Sequence, residues 1–291
     1  MRILNFGSMN LDFVYEVESI VRPGETVRAL SRRTYCGGKG LNQSVALARA
    51  GADVCHAGLI GTDGAPLLAL LQENGVDVSR VEQTEGLSSH TVIQVDKHGQ
   101  NCILFYADEL LRVTDALQER ALEGFGPGDW LLVQNELERM GPLLRAAKAR
   151  GMKTALNPSP ANDALRELPL GSVDCFLLNE VEGGWLTGET EPEAILQRLR
   201  AQYPEAVTVL TLGEAGSVCA AGTETFRQKA YPADAVDTTA AGDTFTGYFL
   251  AGLRRGEPLP RCLDRASRAS AIAVSRPGAA PSIPFAQELE E

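Results

Sequence analysis

Short apolar runs alternate with helical patterns along most of the chain. "RILNFG", "VCHAGLIG", "WLLVQ", "KTALNP", "CFLLNE" and "AVTVLTLG" are nearly continuous in apolar residues and bounded by polar or turn residues, the pattern of strands buried on both faces. "NQSVALARAG", "APLLALLQENG" and "MGPLLRAAKARG" carry the helical period. That alternation predicts a mostly parallel central sheet with helices on both faces, a three-layer α/β/α arrangement. Two stretches break it. "DFVYEVESIVRPGETVRALSRR" and "SSHTVIQVDKHGQNCILFYAD" hold strand-like runs with no helix between them, and the second turns back near "DKHGQ" as a hairpin. They predict a small separate β-sheet, from segments about 12–34 and 88–108, serving as a lid over the crevice at the strand carboxyl ends or as a dimer surface. With no internal repeat, low-complexity stretch or long linker, residues 1–291 read as one domain.

Composition narrows the partners. The 291 residues are 44% hydrophobic and 22% charged, enough for a substantial core. A net charge of −11 and no run of Lys or Arg argue against nucleic acid, so any anionic ligand has to be held locally. The N-terminus "MRILNFGSMNLD" runs straight into an apolar strand and no long apolar stretch follows, which argues against a leader or a membrane span. Six cysteines without CxxC spacing suggest neither zinc nor disulfides and fit a reducing cytoplasm. His56, His90 and His98 read as surface or packing residues.

Candidate chemistry gathers at predicted strand ends. In "DTTAAGDTFTGYFLAGL", Ala240, Ala241 and Gly242 precede Asp243 at the start of an apolar helical run. Bare main chain at a helix N-terminus suits an anion, and a carboxylate there suits a base for a group attacking a phosphate. A packing helix capped by Thr238 or Thr239 accounts for the same spacing, and spacing alone leaves both open. Asn10 and Asp12 in "FGSMNLD" lie two apart, on one side of an extended chain, where they could grip two hydroxyls or form a polar turn. "CGGKGLNQ" brings Gly37, Gly38 and Gly40 with Lys39 and Asn42 to a helix start, but it is neither a P-loop nor a GxGxxG fingerprint. Asn179 and Glu182 in "LLNEVEGG" offer hard oxygen ligands or an ordinary helix start. Thr211 and Gly213 in "LTLGEAGS" mark a turn that could admit a nucleotide.

The pairing of "GGKGLNQSVALARAGA" with "DTTAAGDTFTGYFLAGL" resembles the two signatures of the ribokinase-like (phosphofructokinase B) sugar kinase family. "GSMNLD", "RPGETV", "LNPSPA", "NEVE", "TLGEAG" and "SRPGAAPSIP" follow in the family's order, so the resemblance spans nearly the whole chain. It implies ATP-dependent phosphorylation of a sugar hydroxyl, ribose first, with Mg²⁺ and K⁺ as cofactors and a homodimer joined through the lid. By the same resemblance, Asp243 is the catalytic base and Ala240, Ala241 and Gly242 form the anion hole. Asn10, Asp12, Gly38, Lys39, Asn42, Glu136 and Asp243 correspond to sugar contacts. Asn179, Thr211, Gly213, Gly216 and Gly242 correspond to nucleotide contacts. Asn179 with Glu182 would orient Mg²⁺ through water, and Asp237, Thr239, Ala273, Arg276, Gly278 and Ser282 would surround a monovalent cation. Departures fall in the lid, where "YADELL" brings Asp108 and Glu109, "SSHTV" opens a lid strand and Leu11 stands where the family has a smaller residue. These could redirect substrate choice toward another sugar or a nucleoside. A silent sugar-binding protein on the same scaffold is the remaining alternative.

Overall fold

The computed structural model describes residues 1–290; residue 291, the last of the single domain expected above, lies outside them. Along the chain run β1 (Ile3–Phe6), β2 (Asn10–Glu16), β3 (Ser31–Gly37), α1 (Lys39–Arg49), β4 (Val54–Ile60), α2 (Ala65–Glu73) and β5 (Asp77–Gln83). Next come β6 (His90–Val95), β7 (Asn101–Tyr106), α3 (Asp115–Leu122), β8 (Trp130–Gln134), α4 (Met140–Ala149), β9 (Lys153–Asn157) and β10 (Cys175–Asn179). The last third holds α5 (Glu180–Thr187), α6 (Pro192–Gln202), β11 (Val207–Thr211), β12 (Ser217–Ala221), β13 (Glu224–Gln228), α7 (Ala241–Arg254) and α8 (Leu259–Val274).

The large sheet has the order β13-β12-β11-β10-β9-β8-β1-β4-β5. Its pairings are parallel from β11 to β5, as the apolar runs predict for all of these strands but β5, a half-exposed edge strand the runs do not include, whereas β12 and β13 join antiparallel at the other edge. That hairpin was not among the strands read from the sequence, because "SVCAAGTETFRQ" alternates over a short span with no helix to set it off. Successive residues divide the core. Leu132, Leu177 and Val209 face a cluster with α1, α2, α7 and α8, while Leu131, Val133, Phe176, Leu178 and Leu210 face a second with α3, α4 and α6. The three layers are therefore specified residue by residue along the strands.

The second sheet, β3-β2-β6-β7, contains the two stretches that break the alternation. β6 and β7 form an antiparallel hairpin, with Val95 opposite Asn101 across the turn through "DKHGQ". The outer strand β7 is exposed throughout, including Ile103, Leu104, Phe105 and Tyr106. Among the described residues, no helix is long and apolar enough to cross a membrane, and all six cysteines are free thiols. His56 is fully buried, His90 packs between Phe13 and Tyr106, and His98 is exposed.

Candidate functional site

The carboxyl ends of β1, β8, β9, β10 and β11 open onto one face of the large sheet, where α7 begins. Of the two starts the sequence left open, the helix takes the one with bare main chain. Neither Thr238 nor Thr239 caps it; Ala240 is the N-cap residue, in the left-handed conformation at φ 61°, and no side chain covers the first turn. The Ala241 amide donates to the Thr238 carbonyl at 3.2 Å, so it is occupied. The amides of Gly242 and Asp243 have no protein partner, and a Cβ built on Gly242 would meet nothing within 4 Å. A left-handed Ala followed by uncovered amides is a turn held in an uncommon conformation with its positive end facing open space.

Asp243 sits at the floor of this opening and is 7% exposed. Its carboxylate accepts from Asn42 Nδ2 at 3.1 Å and from Gln43 Nε2 at 2.9 Å, one donor on each oxygen. Both donors come from α1, which packs closely on α7 because Gly247 leaves room: a Cβ there would lie 2.4 Å from Ala46 Cβ. α1 in turn approaches β1 through Gly40, where a Cβ would fall 2.5 Å from the Gly7 carbonyl carbon and the Ser8 nitrogen. The glycine cluster of "CGGKG" thus serves close packing of main chain at Gly40 and a positive φ of 96° at Gly38.

A cavity of about 240 Å³ is lined by Lys39, Asn179, Glu182, Thr211, Ala240, Ala241, Gly242 and Asp243, together with Asn157, Ser159, Thr238, Phe245 and Thr246. Asn179 and Glu182 form a reciprocal capping box at the start of α5: the Glu182 amide donates to Asn179 Oδ1 at 2.9 Å and the Asn179 amide to Glu182 Oε2 at 3.0 Å. Helix start and cavity wall are one feature here. Beyond Thr211, Gly213 and Gly216 have positive φ of 55° and 100°. Gly216 also has to be bare, since a Cβ would come within 2.1 Å of the Gln228 carbonyl oxygen.

A larger cavity of about 740 Å³ lies between the small sheet and the core, lined among others by Ser8, Asn10, Thr91, Phe105, Asp108, Glu109, Leu111, Arg112, Glu136 and Leu137. Asn10 is buried, and its Oδ1 has no partner. Asp12, on the same strand, accepts from Thr91 Oγ1 at 2.5 Å; burial pushes its carboxyl above the ordinary range more than that bond lowers it. Glu136 accepts from Ser8 Oγ and, at 3.1 Å, from the Lys39 amide. Part of its surface opens into the cavity, yet enclosure by the walls also raises its carboxyl, outweighing the Ser8 bond and the Lys39 charge. Asp108 stands just after β7, where the sequence places it at the lid's return to the core, and accepts from the Leu87 amide at 3.1 Å and the Leu110 amide at 2.9 Å, clipping the end of the small sheet to the 86–88 loop.

The third group converges behind the α7 turn. Asp237 accepts from the Thr239 amide and the Gly278 amide, both at 2.9 Å. Burial pushes its carboxyl up, but these bonds outweigh it and hold it below the ordinary value. The Val236 and Asp237 amides bond the Val274 carbonyl at 2.8 and 3.1 Å, tying this loop to the end of α8 beside Ala273 and Arg276. Ser282 is fully buried nearby in sequence to Gly278, and its hydroxyl donates to the Ala279 carbonyl at 2.8 Å.

The structure therefore brings Lys39, Asn179, Glu182, Thr211 and Asp243 to one opening, with Asn42 bonded to Asp243 behind it, and Asn10 and Glu136 to the larger cavity, whose lining does not include Asp12. Gln43, Gln134, Asn157 and Ser159 were missed as individual residues. Gln43 carried a signal: in "LNQSVALAR" three consecutive polar residues interrupt an otherwise apolar run between Leu41 and Leu47, and all three are buried.

Comparison with known proteins agrees with this geometry. Residues 2–286 match the pfkB family carbohydrate kinase model. The chain is 32% identical to the ribokinase of Staphylococcus aureus (strain COL), across 100% of this chain and 99% of that one. Its fold superimposes on Arabidopsis thaliana ribokinase complexed with ribose and ATP with a TM-score of 0.88 at 29% identity, covering 99% of this chain and 97% of that one. Ribokinase from Cryptococcus neoformans var. grubii serotype A in complex with ADP gives a TM-score of 0.86 at 30% identity, covering 99% and 98%. The chain belongs to the pfkB family of carbohydrate kinases.

Proposed function

We propose that this protein transfers the γ-phosphoryl group of ATP to a primary hydroxyl of a pentose, ribose foremost, yielding ribose 5-phosphate and ADP. One observation carries the reading. A carboxylate gripped by two amides, Asp243, lines the smaller cavity beside the uncovered amides that open α7. Asn10, Asp12, Gly38, Lys39, Asn42 and Glu136 hold the sugar; the raised carboxyls of Asp12 and Glu136 are compensated when sugar hydroxyls donate to them. Asn179, Thr211, Gly213 and Gly216 flank the nucleotide. Asp243 takes the proton of the acceptor hydroxyl as its oxygen bonds to the γ-phosphorus and the bond to the ADP oxygen breaks. The turn at Ala240, Ala241 and Gly242 stabilises charge on the migrating group, with the Gly242 and Asp243 amides free to do so and the Ala241 amide occupied by the Thr238 carbonyl.

Asn179 and Glu182 fit Mg²⁺ held through water, since both present hard oxygens on the wall of the nucleotide cavity. The ion would neutralise phosphate charge there. The Asp237 carboxylate, drawn against the Thr239 and Gly278 loops, supports K⁺ held with main-chain oxygens of Thr239, Ala273, Arg276, Gly278 and Ser282, and that ion would add fixed positive charge behind the anion-binding turn. The small sheet, from segments about 12–34 and 88–108, acts as a lid on a single kinase domain. Its apolar outer strand, with Leu104 68% and Phe105 57% exposed, supports a homodimer through that face. Free cysteines support a cytoplasmic setting.

A second reading, a kinase for a nucleoside or a larger sugar, is favoured by the size of the second cavity and its Leu59, Phe105, Leu111, Val113 and Leu137 lining. ADP release measured with ribose, deoxyribose, fructose, adenosine and pseudouridine, each with potassium or sodium, separates the two. Ribose as best acceptor and faster turnover in potassium support the proposal; a preferred nucleoside, or no ADP release with any acceptor, refutes it. Light scattering on the same sample checks the dimer.

A further inference from the structure

Beneath Asp243 lies a chain of side-chain amides of which only Asn157 reaches the wall of the smaller cavity. Gln43, fully buried, donates from Nε2 to Asp243 Oδ1 and to Asn157 Oδ1, both at 2.9 Å. Its Oε1 accepts from Gln134 Nε2 at 2.7 Å, and the same nitrogen donates to Asn5 Oδ1 at 2.9 Å. Asn5 Nδ2 donates at 2.8 Å to the Gly40 carbonyl and to Ser44 Oγ. Asn157 Nδ2 donates at 2.8 Å to the Leu177 carbonyl.

Main-chain carbonyls only accept, and that fixes the direction of every amide in the chain. The Gly40 carbonyl holds Asn5 with nitrogen toward α1, leaving its oxygen for Gln134; Gln134 must then present nitrogen to Gln43, whose oxygen turns to meet it. From the other end, the Leu177 carbonyl turns Asn157 so that its oxygen faces Gln43. Gln43 has one orientation compatible with both ends, the one that aims an N–H at Asp243. A reversed Gln43 amide would set its oxygen against the Asp243 carboxylate and the Asn157 oxygen. Gly7 belongs to the same device, because a Cβ there would lie 2.3 Å from Gln134 Oε1.

We infer that Gln43 is the positioning residue for Asp243, with its orientation locked through Gln134 and Asn5 by the β1–α1 main chain and through Asn157 by β10. Asn42 restrains the other carboxylate oxygen, so the two amides together fix the plane of the carboxylate and the lone pair it offers to the cavity. The inference rests on the kinase reading for its consequence in turnover and on the geometry alone for its consequence in structure. Gln134 lines neither cavity and does not touch Asp243, so its effect on turnover separates positioning from contact.

Gln43→Met keeps length and removes the donor. It is expected to lower kcat by about 10- to 100-fold, the scale of a misplaced reacting group, while the KM values for sugar and ATP change by less than about threefold. Gln134→Met should lower kcat less, again without a KM change, and the double variant should be no slower than Gln43→Met within about twofold, since both act through one contact. A kcat for Gln43→Met within about twofold of the parent, or losses in the double variant that multiply, overturns the inference while leaving the kinase reading in place. If Gln43→Met does not fold, Gln134→Met alone decides by its kcat and KM split. If the parent itself releases no ADP with any acceptor, the kinase reading fails instead. The crystal structure of Gln43→Met then decides, with a rotated Asp243 carboxylate expected and an unmoved one fatal.

Discussion

Asp243→Asn tests base and scaffold together, because both carboxylate oxygens are committed. One accepts from Asn42 Nδ2 and the other from Gln43 Nε2, and the Gln43 donor cannot reverse. An asparagine must therefore point its own NH₂ at a donor, most cheaply at Asn42, whose Oδ1 is buried without a partner and could turn to meet it. With that turn the lost contact costs little; without it, one buried donor pair is left unsatisfied, about 1–3 kcal/mol. For a chain of this size that lowers the melting temperature by about 2–4 °C per kcal/mol at most. The catalytic effect is of another order: loss of a positioned base removes about 10²–10⁴ in kcat. Coupled ADP release with saturating ribose, alongside a melting curve, reads both. A variant that keeps more than about a tenth of the parent kcat while melting normally would refute Asp243 as the base, since that loss is below the floor for general-base catalysis.

Asp12→Asn and Glu136→Gln should each raise the melting temperature, as each removes a carboxyl whose charged form burial disfavours, while weakening sugar KM by about 10- to 100-fold through lost charge-assisted bonds. Calorimetry and a KM titration check the two signs. His56 gives a pH dependence: full burial holds its imidazole down at about 4, against 6.5 ordinarily. The unfolded chain takes up that proton first, so His56's contribution is intact above pH 6.5 and is lost as the pH falls toward 4, by roughly 3 kcal/mol. Urea unfolding at pH 7 and 5, parent against His56→Gln, measures it, with a flatter slope expected in the variant. Gly247→Ala sets a methyl 2.4 Å from Ala46 Cβ and 2.8 Å from the Leu47 nitrogen. It should cost about 1–3 kcal/mol by overpacking and lower kcat by shifting α1 against α7, seen in urea unfolding and in turnover.

The order of strands and helices was written in local pattern, because a strand buried on both faces must be apolar throughout and a covering helix must show its period. Hence the parallel sheet and the small sheet of "DFVYEVE" and "SSHTVIQV" could be read directly. The uncovered turn that opens α7 was legible too, since Ala240, Ala241, Gly242 and Asp243 are contiguous. What the sequence could not yield were contacts spanning long separations. Gln43 meets Asp243 across 200 residues and Gln134 across 91, and no local signal marks which amide a buried glutamine will find. The N-cap also escaped, as Thr238 and Thr239 are better cappers than Ala240 by preference and lose because the loop is tied through Val236 and Asp237 to the end of α8. Asp108 and Gly216 likewise took their roles from neighbours brought near by folding. Sequence alone determined the elements and the chemistry available at their ends, because burial periodicity and turn stereochemistry act within a few residues. Tertiary structure decided which polar groups share a cavity and which way each amide points, because hydrogen-bond direction is settled only when donors and acceptors from distant segments are buried together.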